Sequence, residues 1–300
     1  MNGPTTDGPT IAVVGATGTM GGLVLDELVA RRTPVRALVR RPVGGLPPGV
    51  EQVHAPLGDE GKVRDALTGI RAVLYISPHD ADEEVYAETF VRAAEGARAR
   101  IVFAGVHVPT RTPRSWLQHQ LTALFLPAYR GKLRIGRLIA ASRTDPVIFS
   151  PTNFYQNDEI FFADIRGGQF PMPMRRVNRV DVRDLAELCA RALVDPAYPA
   201  GEHAIAGPAS VSGEECAALW SEALHRPVTY VGDDDALWPE IYRQRLTGRK
   251  LTDWVASAAF LGKQSVVVPK AAAATAHLLG REPRGYREYV LERARTSVAS

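Results

Sequence analysis

The stretch TIAVVGATGTMGGLVLDEL, residues 10–28, carries more structural information than any other part of the chain. It begins with the apolar run IAVV, which is short enough to form a buried strand, and it continues into a helical pattern. Between the two, Gly15, Gly18 and Gly21 allow the backbone to approach a pyrophosphate, whose charge would lie at the helix N-terminus. The spacing is G-x-x-G-x-x-G rather than G-x-G-x-x-G, so the strand and helix on either side carry the prediction. We expect a dinucleotide site here; a tight turn without a ligand is the alternative.

The residues at the end of the second apolar run indicate which dinucleotide the chain binds. The run VRALV, residues 35–39, is followed directly by Arg40 and Arg41. An enzyme selective for NAD usually has Asp or Glu at this point, where the carboxylate accepts hydrogen bonds from the ribose 2′-hydroxyl. A guanidinium instead suits a 2′-phosphate. The sequence therefore predicts NADP, unless the two arginines are merely solvated loop charges.

Composition limits the possible functions. With 300 residues and 45% apolar content, the chain can bury a full core as one large domain or as a domain with a small lobe. A net charge of +3 gives no argument for nucleic acid. Cys189 and Cys216 are far apart and are predicted to be buried thiols in a reducing compartment. We find no metal-ligand spacing, no leader and no apolar run of membrane-spanning length, and expect a soluble, cytoplasmic protein without a metal.

Apolar and helical patterns alternate through the first half of the chain. Strands are predicted at residues 11–14, 35–39, 50–54, 72–76, 100–104 and 146–150, and helices at 60–67, 82–97 and about 115–142. This alternation predicts an α/β fold with a doubly wound parallel sheet. Ligands of such sheets bind beyond the carboxyl ends of the strands.

The second half of the chain changes character and predicts a smaller C-terminal α/β lobe. Residues 1–9 are expected to be a disordered tail, residues 10–150 the NADP-binding domain, and residues 178–206 to return to that domain. Residues 151–177, an irregular aromatic segment, and residues 207–300 are expected to form the substrate-binding lobe. Its last part looks helical, with breaks at Pro239, Gly248, Gly262, Pro269 and Pro283.

Several short motifs together resemble the NmrA-like atypical short-chain dehydrogenases, a group related to isoflavone-reductase-like enzymes and NADPH quinone reductases. The motifs are GATGTMG at 15–21, VRALVRR at 35–41, GD at 58–59, SPTNFYQN at 150–157, VDVRDLA at 180–186 and AGP at 206–208. The resemblance implies a Rossmann-like domain with a small lobe, NADP as ligand, Asp59 near the adenine and Asp181 near the substrate. Asp181 could equally be the N-cap of the helix predicted at residues 182–194.

The resemblance and the glycine motif together predict the residues that contact the cofactor. They are Gly15, Thr17, Gly18, Thr19, Met20, Gly21, Arg40, Arg41, Asp59, Ser77 and Lys132.

Lys132 is the leading candidate for acid/base chemistry. In a predicted helix over residues 129–142, it shares a stripe with Ile135, Gly136 and Ile139. Desolvation on an apolar face favours the neutral amine, which could then exchange a proton with a substrate near neutral pH. In isoflavone-reductase-like relatives, a lysine at this distance before the next strand is the general acid/base. The alternative is a lysine that extends to the surface or holds a ribose hydroxyl.

The chain departs from the pattern of its relatives at several points, including Gly136, where they often have an acid, and Ser150, where they have an Arg at the strand end. No Ser follows the fifth strand, and the position four residues before Lys132 is Ala128, with Tyr129 only three residues before it. A Ser–Tyr–Lys triad is therefore not available by position. We expect help from Tyr129, Tyr155 or His107, because histidine suits proton transfer near pH 7. His119 is a weaker candidate of the same kind.

The aromatic segment predicts the substrate class. Phe154, Tyr155, Asn157 and Phe161 are the expected substrate contacts, and Met172 and Met174 could form a flexible rim. We expect an NADPH-dependent reductase of a carbonyl, quinone or conjugated double bond in a hydrophobic, aromatic molecule, with Lys132 as proton donor or relay. The alternative is a non-catalytic, NADP(H)-sensing regulator of the NmrA type. The oligomeric state stays open.

Overall fold

A seven-stranded sheet organises the first half of the chain. The computed structural model describes residues 10–78, 82–105 and 129–298. The strand order is β10-β6-β5-β4-β1-β2-β3, and the pairs from β6 to β3 are parallel. The strands are β1 (Ile11–Val14), β2 (Val35–Val39), β3 (Val50–His54), β4 (Ala72–Tyr75), β5 (Arg100–Ala104), β6 (Val147–Pro151) and β10 (Gly201–Ile205). The α/β fold with a doubly wound sheet is confirmed.

The order of the strands reverses between β1 and β4. The chain runs outward from β1 through β2 to β3, and then returns to place β4 on the other side of β1. Every residue of β1 and β4 is buried, as expected for central strands covered on both faces. The loops after β1 and β4 diverge at such a reversal and leave a crevice at the carboxyl ends of the strands.

Helices cover the sheet and match most of the sequence expectations. They are α1 (Thr19–Ala30), α2 (Glu60–Ala66), α3 (Glu83–Ala97), α4 (Arg130–Ala140) and α6 (Val182–Val194). One core cluster joins α3 to the sheet through Phe90, which stacks on Tyr75 with ring centroids 4.5 Å apart. The predicted helix over 115–142 is confirmed from residue 130; its earlier part lies outside the described residues.

The irregular segment 151–177 contains several short elements. They are β7 (Asn153–Phe154), a 3-10 helix (Tyr155–Phe161), α5 (Phe162–Arg166), β8 (Gln169–Phe170) and the start of β9 (Arg176–Val180). A short sheet joins β9 to β7, β11 (Ser210–Val211) and β13 (Ser265–Val266), while β8 pairs with β12 (Thr229–Tyr230). Long-range pairing, which a local pattern does not encode, organises this segment.

The remaining helices are α7 (Gly213–Leu224), α8 (Leu237–Arg245), α9 (Gly248–Lys263), α10 (Pro269–Leu279) and α11 (Tyr286–Val298). Helices begin at Gly248 and Pro269, as expected, but Pro239 and Gly262 do not break a helix. Pro239 lies in the first turn of α8, where its missing N–H has no intrahelical partner to lose. At Gly262, a Cβ would lie 3.0 Å from the Pro173 Cβ, so the glycine permits close packing.

The described residues divide into two compact units. The first contains residues 10–78, 82–105, 131–150 and 185–203, and the second contains 129–130, 151–184 and 204–298. Residues 178–184 belong to the second unit, since β9 pairs with β7, β11 and β13. Within the described ranges, no helix is both long and apolar enough to cross a membrane. The expected tail at residues 1–9 lies outside the described residues.

Candidate active site

The glycine turn after β1 has little room for side chains. Gly15 has a φ angle of 79°, a backbone conformation that residues with a side chain rarely adopt. Its carbonyl oxygen accepts a hydrogen bond from the Gly18 N–H at 3.0 Å. A Cβ at Gly21 would lie only 2.1 Å from that same Gly15 oxygen. Gly21 therefore allows the first turn of α1 to pack directly against the loop, which leaves the loop backbone open on its outer side.

The N-terminus of α1 is suited to an anion. Gly18 is the N-cap residue, no side chain caps the helix, and the first turn contains no acidic residue. Thr17, Gly18 and Thr19 are exposed, and Met20 is half-buried. The first backbone N–H groups of a helix have no intrahelical partners and carry the positive end of the helix dipole. This is the arrangement that binds a phosphate group.

Arg40 and Arg41 lie beside the glycine turn. The register pairs Val14 with Leu38, so Arg40 follows β2 next to the loop that starts at Gly15. Both arginines are exposed, and in the described part of the chain no carboxylate pairs with either. Two exposed guanidinium groups without a described carboxylate partner can hold a 2′-phosphate at the end of β2, as the sequence predicted.

Asp59 has a structural role in the loop after β3. Its carboxylate caps α2 by accepting a hydrogen bond from the Lys62 N–H at 3.1 Å, and it also pairs with the Lys62 ammonium. The backbone hydrogen bond from Lys62 lowers the pKa of Asp59. A contact between Asp59 and adenine stays a prediction.

Three side chains meet beyond the carboxyl end of β4. Glu83, the first residue of α3, is 1% exposed, and its Oε2 lies 3.2 Å from Lys132 Nζ and 3.3 Å from Ser77 Oγ. The Ser77 and Glu83 positions follow β4, while Lys132 comes from the first turn of α4. A Cβ at Gly15 would lie 3.4 Å from the Cβ of Ile76, so this cluster borders the glycine turn.

The environment of Lys132 differs from the expected apolar face. Its side chain is 16% exposed and is held in an ion pair with a nearly buried carboxylate. An ammonium is a proton donor, and its pairing with Glu83 fixes its position. Sequence reasoning missed Glu83, because an acid 49 residues before Lys132 gives no local signal.

Tyr129 and Tyr155, two of the other expected catalytic residues, make hydrogen bonds within the second unit. The Tyr129 hydroxyl accepts a hydrogen bond from Ser257 Oγ at 3.2 Å in the second unit. The Tyr155 hydroxyl donates to the Arg284 carbonyl at 3.1 Å, and burial of Tyr155 raises its pKa. His107 and His119 lie outside the described residues.

Of the four expected substrate contacts, Tyr155 and Phe161 lie in the core of the second unit. Phe161 is buried and stacks on Tyr242 with ring centroids 4.5 Å apart, and Tyr155 is 1% exposed. Phe154 and Asn157 are half-buried. As in many folded domains, the aromatic side chains mainly serve packing.

Asp181 makes the hydrogen bonds of a helix N-cap, and its expected place near the substrate stays a prediction. Its carboxylate accepts hydrogen bonds from the Arg183 N–H at 2.8 Å and from Gln156 Nε2 at 2.9 Å, and Asp181 is fully buried. It is therefore the N-cap of α6, as one of the two interpretations proposed.

A pocket in the second unit has an aromatic and thioether lining. Its lining residues are Asn153, Met172, Pro173, Met174, Tyr242, Trp254, Ser257, Ala258 and Leu261. Met172 and Met174 line it but are buried, so they form a wall rather than an exposed rim. Asn153 lies within the motif SPTNFYQN, but no pattern in the sequence identified it as a pocket residue.

Neither cysteine is arranged for chemistry. Cys189 and Cys216 are buried free thiols, and burial raises the pKa of Cys216 to about 12. In the ranges that the structure describes, no group of His, Cys, Asp and Glu could hold a metal ion.

Comparison with known proteins agrees with this arrangement. The model of the NmrA-like family matches residues 7–290. The NAD(P)H azoreductase of Xenophilus azovorans is 27% identical over 263 residues, which cover 83% of this chain and 84% of the azoreductase. The NADP(H) complex of the Citrobacter sp. triphenylmethane reductase has a TM-score of 0.76 at 19% identity and covers 95% of this chain and 99% of its own. The negative transcriptional regulator NmrA with NADP has a TM-score of 0.71 at 18% identity and covers 97% of this chain and 96% of its own.

Proposed function

The chain belongs to the NmrA-like family, and we propose that it is an NADP-dependent reductase acting on a hydrophobic, aromatic small molecule. The observation that carries this proposal is the cluster of Ser77, Glu83 and Lys132 beside the glycine turn, at the edge of the sheet where a dinucleotide binds. The azoreductase that matches most of the chain is named for the use of NAD(P)H, which supports the same reaction class.

The residues of the first unit fit the cofactor. The loop from Gly15 to Gly21 and the uncapped N-terminus of α1 suit a pyrophosphate, and Arg40 and Arg41 suit a 2′-phosphate. When bound, NADPH supplies a hydride to the substrate. The contacts of Thr17, Thr19, Met20, Ser77 and Lys132 with the cofactor are part of this proposal.

Lys132 supplies the proton in the proposed reaction. Hydride addition to a carbonyl, a quinone or a conjugated double bond leaves negative charge on an oxygen or carbon of the substrate. The Lys132 ammonium donates a proton to that atom, and its side chain is exposed enough, at 16%, to regain a proton from water. Glu83 holds the ammonium in place through a carboxylate that is itself only 2% exposed.

The second unit supports an aromatic substrate through the side chains of its pocket. Trp254 is half-buried and offers a ring surface, and the buried Met172 and Met174 add thioethers, which contact aromatic rings favourably, to the lining. The names of the azoreductase and the triphenylmethane reductase describe aromatic dyes, which agrees with this substrate class.

Replacement of Lys132 tests the proposal. NADPH consumption is measured against a panel of quinones, azo dyes and aromatic enones for the wild type and for Lys132→Ala, with NADH run alongside. We expect turnover at saturating NADPH to fall by about 100-fold in Lys132→Ala, the contribution typical of a general acid. The matched control is Arg134→Ala, on the same helix, whose exposed ion pair with Glu84 makes little energetic contribution.

Turnover that is equal in the wild type and in Lys132→Ala would exclude the proposed role of the lysine. Tight NADP binding with no turnover across the whole panel would instead favour an NADP(H)-sensing regulator. That second function is motivated by the absence of a Ser–Tyr–Lys triad by position. A cytoplasmic location and the absence of a nucleic-acid partner stay predictions.

A further inference from the structure

We propose that Tyr75 is a positioning residue whose hydroxyl supports the Glu83 carboxylate, through Ser77, in the step in which Lys132 gives up its proton. The proposal rests on the proposed function and adds a residue to the cluster described above. Tyr75 is the last residue of β4 and is 0% exposed. Its hydroxyl is buried and has no hydrogen-bond partner among the described residues.

A buried hydroxyl without a partner is a cost to the fold. Most buried polar side-chain atoms are hydrogen-bonded, and an unbonded hydroxyl has lost the water that it binds in the unfolded chain. Phenylalanine could make the ring contacts of Tyr75, which stacks on Phe90 and lies 6.2 Å from Phe103 between ring centroids, without this cost. Packing therefore accounts for the ring of Tyr75 but not for its hydroxyl.

The Tyr75 hydroxyl lies near the cluster. Ser77 is two positions further along the chain, a spacing that places side chains on the same face of a strand. On α3, Glu83 and Phe90 share one helical face at the i, i+7 spacing, and Phe90 stacks on Tyr75. Burial raises the pKa of Tyr75, the nearby Ser77 side chain lowers it, and the Glu83 charge raises it. The net pKa is raised, so the hydroxyl keeps its proton and remains a donor.

Ser77 connects Tyr75 to Glu83. Its Oγ lies 3.3 Å from Glu83 Oε2 and 3.4 Å from the Pro78 carbonyl oxygen, and both distances are long for O–H···O hydrogen bonds. A hydroxyl donates one hydrogen and can accept two, so Ser77 can accept from Tyr75 while it donates to Glu83. Hydrogen bonds in such a chain strengthen one another.

Proton transfer creates the need for this chain. In the proposed reaction, one N–H bond of the Lys132 ammonium breaks, and the proton binds to the substrate atom that is negative after hydride addition. Lys132 is then a neutral amine, and the Glu83 carboxylate, only 2% exposed, loses the counter-charge that lies 3.2 Å from it. A buried carboxylate that loses its counter-charge needs hydrogen-bond donors. Tyr75 supplies one through Ser77 until the amine regains a proton from water.

A double-mutant cycle tests the proposal without turnover. Lys132→Met imitates the neutral amine, because it removes the ammonium and keeps an unbranched side chain. Tyr75→Phe removes only the hydroxyl. The midpoint of thermal unfolding is measured without NADPH for the wild type, for both single variants and for the double variant.

Tyr198→Phe is the matched control, in the wild type and in Lys132→Met. The Tyr198 hydroxyl is also buried without a hydrogen-bond partner in the described part of the chain. Its ring packs on Phe149 and His203, with centroids 6.0 and 5.9 Å away. His203 belongs to β10, which β6 and β5 separate from β4. The control therefore removes an equivalent hydroxyl from another part of the same unit.

We expect the effect of Tyr75→Phe on stability to change sign. In the wild type, loss of the unbonded hydroxyl should raise the unfolding midpoint by about 2 °C, and in Lys132→Met it should lower the midpoint by about 2 °C. Tyr198→Phe should raise the midpoint in both backgrounds. In turnover assays, Tyr75→Phe should lower kcat by about tenfold and leave KM for NADPH unchanged, because the hydroxyl acts in the proton-transfer step.

A Tyr75→Phe effect of the same sign and size in both backgrounds would overturn the proposal. An unchanged kcat in a Tyr75→Phe variant that is more stable than the wild type would also overturn it, and this comparison decides if Lys132→Met does not fold. A change of sign in the cycle without NADPH consumption by any panel substrate would support the coupling of Tyr75 to Glu83 and overturn the reductase proposal instead.

Discussion

Two regions of this molecule handle charge in opposite ways. Around the glycine turn of the first unit, Arg40 and Arg41 are exposed and have no carboxylate partner among the described residues. In the second unit, Arg179 and Asp158 are fully buried and bonded to each other, and Asp158 also accepts hydrogen bonds from Trp220 and Tyr286. The first set of charges is available to a ligand, while the second maintains the architecture.

The physical reason is the cost of desolvation. An exposed guanidinium is solvated by water and can exchange that water for a phosphate at little cost, whereas a buried charge must be paired and hydrogen-bonded. Lys132 combines the two situations, since its ammonium is partly exposed but is fixed by the nearly buried Glu83. A group that must be both accessible and well positioned for proton transfer needs this intermediate environment.

The largest effect is expected where the buried pair is broken. Asp158→Asn leaves the Arg179 charge without its partner, so the free energy of unfolding should fall by about 3–5 kcal/mol. Urea unfolding monitored by tryptophan fluorescence measures the change. The control Glu240→Gln removes an exposed ion pair with Arg243, in which both side chains are more than half exposed, and should cost less than about 1 kcal/mol. Equal losses in the two variants would show that burial does not distinguish these pairs.

A smaller effect is expected at the glycine turn. Gly21→Ala forces a Cβ to within 2.1 Å of the Gly15 carbonyl oxygen, so the turn must shift. Thermal unfolding should show a loss of about 1–3 kcal/mol, and titration should show weaker NADPH binding. At the adjacent Gly22, the nearest atom to an added Cβ is 3.8 Å away, so Gly22→Ala should stabilise α1 by about 0.5–1 kcal/mol. A neutral Gly21→Ala would contradict the close packing of helix and loop.

The smallest effect is expected from the exposed arginines. Arg40→Ala and Arg41→Ala should each leave stability unchanged, and at least one should weaken NADPH binding by about tenfold, or 1.4 kcal/mol. Affinity for NADH should stay the same, because NADH has no 2′-phosphate. Titrations at low and high salt should show the NADPH preference decreasing as charges are screened. Arg31→Ala, at the opposite end of α1, is the control, and an equal effect there would exclude a specific phosphate contact.

Local patterns predicted the first unit well and the second unit less well. Buried strands such as β1 and β4 were found as apolar runs, because a central parallel strand buries nearly every residue. The elements of segment 151–177 were not predicted, because β7, β8 and β9 depend on partners far away in the chain. At Asp181, the sequence allowed two roles and the structure shows an N-cap.

The sequence alone specified the doubly wound sheet, the glycine turn and the pair of arginines after β2, because each depends on residues that are neighbours in the chain. Tertiary structure placed Glu83 against Lys132 and Arg179 against Asn153, contacts between residues 49 and 26 positions apart. Tertiary packing also placed most aromatic side chains of residues 151–177 in the core of the second unit. Burial and long-range contact, which determine the chemistry of a side chain, arise only when separate elements pack together.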